Sequence, residues 1–188
     1  MASDKESTEF SYELKIPKDR VAVLIGAKGK TKKHLESLTK TKIDVDSKEG
    51  EVSIKGKDAL NMYAAKEIVK AIARGFNPEI AQLLMKQDYS FEILEVSDFA
   101  KSKNDFKRLK GRVIGEKGKS RSTIESLTGA YISVYGKTIC IIGELNSVGL
   151  ARRAIESLLS GSPHANVYKW LEKQRRNIKK KGILEMVE

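Results

Sequence analysis

A chain of 188 residues, 40% of them hydrophobic, can build one medium domain or two small ones with packed cores. A single cysteine, Cys140, excludes an internal disulfide framework, and two histidines, His34 and His164, with no second cysteine leave no zinc set, so neither metal nor cofactor is expected. The formal net charge of +11 is concentrated in residues 28–42, 101–121 and 169–181 and leaves the rest of the chain net acidic, a pattern that points to a polyanionic partner rather than to a merely solubilising surface.

The opening MASDKESTEF is polar and of mixed charge, with no apolar core of a signal peptide, and no long apolar run follows anywhere. Residues 1–8 are expected to form a flexible tail, and the protein to be cytoplasmic, with no membrane partner. FSYELKI (10–16) alternates with period two and predicts a half-buried strand. PKDRVAVLIG predicts a short helix opened by Pro17, whose missing N–H costs nothing in a first turn.

This helix runs into IGAKGKT (25–31), which ends like a nucleoside-triphosphate loop. That loop needs a glycine, four further residues and then Gly-Lys-Ser/Thr, with a strand in front. Here Leu24 stands where the first glycine belongs, in the later IGEKGKS (114–120) Val113 stands there, and both loops follow predicted helices. An ATP-hydrolysing loop is thereby excluded.

A second helix follows with Leu35 and Leu38 on one face, then a hairpin, TKIDVDSKEGEVSIKG, with a glycine in its turn. Asp44, Asp46 and Glu51 around that hairpin lack metal-ligand spacing and read as solvated turn residues. DALNMYAAKEIVKAIARG predicts a longer amphipathic helix stopped by glycine, and NPEIAQLLMKQ (77–87) a connecting helix that packs through Ile80, Leu83 and Leu84.

The pattern then repeats. YSFEILEV (89–96) predicts a strand, KNDFKRLKGRVIG a helix, the segment with Ile124 and Leu127 a second helix, AYISVYGKTICIIG a hairpin that buries Cys140, and LNSVGLARRAIESLLSG a closing helix. At an offset of 89, ten of the twenty residues in 26–45 are identical to those in 115–134, which marks a duplicated module. HANVYKWLEKQRRNIKKKG predicts an extra helix, with Val167, Trp170 and Leu171 on an apolar face and Lys173, Arg175, Arg176, Lys179 and Lys180 on a basic one. Trp170 reads as a docking anchor rather than a base-stacking residue.

Strand, helix, helix, strand, strand, helix, with Ile-Gly-x-x-Gly between the first two helices, resembles the type I KH domain, twice over nearly the whole chain. The resemblance implies an α+β fold of two tandem KH domains, at 9–76 and 89–162, with a connecting helix at 77–88 and a basic C-terminal helix and tail at 163–188. RLKGRVIGEKGKSRSTIESLTGAYISVYGKTICIIG and GSPHANVYKWLE, together with Lys32 and Arg121 where a common KH domain has isoleucine, resemble the Pno/Dim family of small-subunit ribosome-assembly factors, most strongly over 105–172. The intact Gly26-Ala27-Lys28-Gly29 is similar to the archaeal form.

What the resemblance implies is a non-catalytic protein that holds single-stranded RNA, near the 3′ end of the small-subunit rRNA, alongside an rRNA-processing endonuclease and an rRNA dimethyltransferase. The glycines would let the strand pass close over the loop, and the following helix N-terminus would meet its phosphates. The RNA-binding residues expected are Gly26, Ala27, Lys28, Gly29, Lys30, Lys32 and Lys33 in the first copy. In the second they are Arg108, Lys110, Arg112, Gly115, Glu116, Lys117, Gly118, Lys119 and Arg121, with Glu116 opposing the strand unless Lys117 and Lys119 offset it. Leu24, Ile25, Val113 and Ile114 are candidates for the floor of a groove. A KH-type regulatory or RNA-decay subunit that binds mRNA is the alternative, and an enzyme the third reading.

Overall fold

The alternation in FSYELK becomes strand β1 (Phe10–Lys15), which leaves Ser11, Glu13 and Lys15 outside its half-buried Tyr12 and Leu14 in a computed structural model that describes residues 10–185. The expected tail at 1–8 lies outside the described residues, as does the side chain of Lys179. After Pro17 come α1 (Lys18–Ile25) and α2 (Lys30–Thr39), then β2 (Lys42–Asp46), β3 (Glu51–Gly56) and α3 (Ala59–Ala73). The strands form one antiparallel sheet in the order β1-β3-β2, in a register that sets Leu14 and Val45 beside Val52, and Tyr12 and Ile43 beside Ile54. Val21, Leu24, Leu35, Ile43, Val52, Ile54, Ile68 and Ile72 are buried. Each fully buried aliphatic side chain is worth about 1.5–3 kcal/mol as an upper estimate, and this apolar packing holds the helices on the sheet.

The second unit repeats the order with β4 (Tyr89–Glu95), α5 (Lys103–Ile114), α6 (Lys119–Thr128), β5 (Tyr131–Tyr135), β6 (Thr138–Glu144) and α7 (Leu145–Leu159), its sheet running β4-β6-β5. The chain divides into its two compact units between Gln87 and Asp88. One difference separates the central strands. β3 alternates between exposed and buried residues, whereas β6 is buried from Thr138 to Gly143, including Cys140, and reads accordingly as a continuous apolar run. A final helix, α8 (His164–Glu185), adds Val167 and Leu171 to the second core, and Trp170 packs against that core as an anchor.

The connecting helix is shorter than its sequence suggests. Only Pro78–Ala81 forms an α-turn, α4, followed by a 3-10 turn over Gln82–Met85. Asn77 makes no side-chain cap, and eleven residues are too few to sustain a helix by propensity. Instead Ala81 is fully buried, and Ile80, Leu83 and Leu84 are half-buried beside α3 in the first unit.

The shared Glu-Ser-Leu-Thr run turns out to be architectural. Glu36 Oε1 accepts the Ile43 N–H at 2.8 Å, and Glu125 Oε1 accepts the Ile132 N–H at 2.8 Å, so each fixes where the next strand begins. Thr39 and Thr128 are buried, and their hydroxyls donate back to the carbonyls of Leu35 and Ile124, each at 2.8 Å.

Candidate nucleic-acid interface

Each glycine loop joins two helices, α1 to α2 and α5 to α6, and in both copies the chain leaves the first helix through a glycine with positive φ, Gly26 at 70° and Gly115 at 72°. Each is held against the start of the next helix: a Cβ on Gly26 would stand 2.1 Å from Thr31 Oγ1, and one on Gly115 2.6 Å from the backbone nitrogen of Ser120. The first glycine therefore serves internal packing. The last glycine does the reverse. A Cβ on Gly29 or Gly118 would meet nothing within 4 Å, so this end of the loop is open.

Between them Lys28 and Lys117 take left-handed conformations, φ 52° and 51°, unusual for residues with a Cβ and costing about 1–2 kcal/mol each. The geometry is held by the Gly29 N–H to the Gly26 carbonyl at 3.1 Å and the Gly118 N–H to the Gly115 carbonyl at 3.2 Å. Neither α2 nor α6 carries a side-chain N-cap, so no side chain occupies their leading N–H groups. Partial positive charge, open backbone and exposed Lys28, Lys30, Lys117 and Lys119 thus coincide at each loop.

In the first unit a hollow of about 280 Å³ adjoins the loop, lined by Ile25, Gly29, Lys32, Lys33, Glu36 and Val45. Its apolar patches suit the face of a base and its lysines a phosphate. Leu24 and Val113, candidates for a groove floor, are instead fully buried in their cores, while Ile25 and Ile114 are half-buried. Lys32 is drawn across the hollow by Glu36 at 3.8 Å and Asp44 at 4.0 Å. Asp46 belongs to the hairpin turn: it accepts the N–H groups of Lys48 and Glu49, which hold its carboxyl below the ordinary range.

The basic residues expected around the second loop are differently employed. Arg121 pairs with Glu125 at 3.8 Å. Arg108 bonds Asp105 at 3.1 Å, and that hydrogen bond is the main reason the Asp105 carboxyl lies below its ordinary range. Lys110 donates to the Gly136 carbonyl in the β5–β6 turn at 2.9 Å. Arg112 is half-buried and donates through Nε to the Leu158 carbonyl at 3.0 Å and through a terminal nitrogen to the Ser162 carbonyl at 2.6 Å, at the end of α7. Glu116 stands exposed between Gly115 and Lys117.

Arg20 is a structural residue that reading the sequence overlooked. It donates to the carbonyls of Ile72 at 2.8 Å and Phe76 at 2.6 Å, closing the end of α3 as Arg112 closes α7. The two arginines are not partners in the 89-residue alignment, in which Arg20 faces Leu109, so no identity marks them. Both helix ends share the same stop, with Gly75 and Gly161 at φ 98° and 100°.

Among the described residues no group of three or more His, Cys, Asp or Glu could hold a metal ion, and no helix is long and apolar enough to cross a membrane. Compared with known proteins, residues 90–176 match the family model of the second KH domain of PNO1, described as a eukaryotic-type KH domain (type I), and residues 11–71 match the general KH domain. The chain is 52% identical over 171 residues to KH domain-containing protein MJ0443 of Methanocaldococcus jannaschii, covering 89% of this chain and 75% of that one. It is 31% identical over 124 residues to the pre-rRNA-processing protein pno1 of Aspergillus fumigatus, covering 64% of this chain and about half, 49%, of the fungal protein. A chain in the crystal structure of the a/eIF2alpha–aDim2p–rRNA complex from Pyrococcus horikoshii OT3 superposes with a TM-score of 0.85 at 45% identity, over 92% of this chain and 98% of that chain.

Proposed function

The chain belongs to the Pno/Dim family of tandem type I KH proteins, in its archaeal form, and from that premise we propose that it is a non-catalytic single-stranded RNA-binding protein of small ribosomal subunit biogenesis. Its ligand is small-subunit rRNA near the 3′ end, and it works in the cytoplasm beside the endonuclease and the dimethyltransferase that act on the same rRNA. The observation that carries this reading is the pair of loops with the same left-handed lysine, open glycine and uncapped helix N-terminus. The name of the fungal relative and the rRNA in the Pyrococcus complex support the choice of ligand.

In this mechanism the RNA backbone crosses Gly29 or Gly118, where no side chain bars it, and its phosphates meet the N–H groups of α2 or α6 and the flanking lysines. Bases turn away from the loop, in the first unit into the hollow between Ile25 and Val45. Two tethered modules raise the affinity of the second contact through effective concentration.

The test replaces Lys28 and Lys117 with Asp, singly and together, since aspartate tolerates a left-handed backbone and leaves the loop shape intact. Single-stranded RNA affinity, read by fluorescence anisotropy, should fall about tenfold for one loop and further for both. Unchanged binding by the folded double variant would falsify the loop mechanism. Crosslinking in cells should map to small-subunit rRNA, and a footprint dispersed over mRNAs instead would assign the protein to mRNA regulation.

A further inference from the structure

The last helix carries charge that neither the fold nor the loops account for. On α8, Lys169, Lys173, Arg176 and Lys180 stand at i, i+4, i+7 and i+11, all exposed. At 3.6 residues per turn they lie within about 60° of one another around the axis and rise in steps of about 6, 4.5 and 6 Å. Among the described residues none of the four is in an ion pair, whereas on α7 the exposed Arg152 pairs with both Glu92 and Glu156. Glu172, three residues after Lys169 and four before Arg176, pairs with neither and lines a cleft of about 430 Å³ with Arg175, Arg176 and Leu127 of α6.

The row is also held in place. Buried Val167 and Leu171 and half-buried Tyr168 and Trp170 seat the first half of α8 on the core, and the His164 ring nitrogen meets the Arg112 carbonyl at 2.8 Å where the helix begins. The cleft sets the middle of α8, Glu172 to Arg176, beside Leu127 in the C-terminal turn of α6, about 12 Å along that helix from the second loop, a distance a few nucleotides of single strand cover. A fixed, unneutralised line of cations fits a flexible polyanion whose charges recur at short intervals, better than it fits an isolated anion.

We propose that the Lys169, Lys173, Arg176 and Lys180 row is a second phosphate track, which takes the backbone of the same RNA beyond the nucleotides gripped at the second loop. The inference rests on the RNA-binding reading and deepens it: the second unit's footprint exceeds the roughly four nucleotides of one KH groove, and the extension is read without regard to base.

The experiment uses the full chain and two single-stranded RNAs, a strand of about four nucleotides that fills one KH groove and one extended by about ten nucleotides at both ends. Affinities are measured across a potassium chloride series for the parent and for a triple variant, Lys169→Gln, Lys173→Gln, Arg176→Gln, with thermal unfolding as the control on folding. Each phosphate contact on a single strand contributes about 0.7 to the slope of log K against log salt. The variant should lose about 2 from the slope on the long RNA and keep the parent's slope on the short one. Equal slopes for parent and variant on the long RNA, or equal losses on both RNAs, overturn the track while leaving the loops standing. A parent that binds neither RNA overturns both readings.

Discussion

In the first KH unit the loop Gly26-Ala27-Lys28-Gly29 carries no acid, and its basic neighbours Lys30 and Lys33 are exposed. In the second, Glu116 intrudes, and Lys110 and Arg112 are engaged with backbone carbonyls. Yet the backbones agree to within a few degrees: Lys28 at φ 52°, ψ 31° against Lys117 at φ 51°, ψ 29°, and Gly29 at φ 75° against Gly118 at φ 79°. Shape is therefore set by the glycines and by the residue each loop packs on, Thr31 or Ser120, and not by the charges it displays. Charge has been free to diverge, so the two loops can grip RNA with different strength while presenting the same surface.

The sharpest way to test that division is to set the two glycines of one loop against each other. Gly26→Ala must force a Cβ into Thr31 at a backbone conformation closed to side chains, and should cost about 3 kcal/mol in urea denaturation. Gly29→Ala meets only the left-handed penalty, about 1 kcal/mol. Gly115→Ala and Gly118→Ala should show the same order, and comparable losses within a pair would break the assignment.

Next in size are the arginines. Arg20→Gln and Arg112→Gln each remove charged donors from two carbonyls at a helix end, and each should cost about 2 kcal/mol by the same assay. The salt slope of RNA binding should stay at the parent value in Arg112→Gln. A drop of about 0.7 would show instead that this guanidinium reaches a phosphate.

The smallest effect comes from exchanging the loops' second residues. Glu116→Ala should strengthen single-stranded RNA binding about twofold and Ala27→Glu weaken it about as much, since one exposed charge is worth roughly half a kcal/mol. Anisotropy at low salt resolves both, and shifts of the same sign would mean that the second residue does not face the strand.

Much of this architecture was legible because it rests on residues that repeat in register: the loop glycines, the buried Leu35 and Ile124, and the glycine stops after α3 and α7; Leu38, expected beside Leu35 on the apolar face of α2, is instead exposed. The double duty within the 26–45 and 115–134 identity was not. Glycine and lysine serve the loop, while Glu36, Glu125, Thr39 and Thr128 serve the backbone of the next strand, and identity alone does not separate the two. The shared role of Arg20 and Arg112 stayed hidden because they reach matching carbonyls from positions one helical turn apart, which any residue-by-residue alignment misses, so Arg112 read only as an RNA contact. Lys28 and Lys117 gave no warning either, since lysine has no preference for a left-handed backbone.

Those two lysines have a thermodynamic consequence. A loop whose turn is already closed by its own hydrogen bonds should have little freedom left to lose, so most of the ordering on complex formation should fall on the RNA. Discrimination between strands is then expected to depend on what each gives up to become extended: a run of well-stacked purines should surrender more than a loosely stacked pyrimidine run, and rank lower even where every phosphate is met alike.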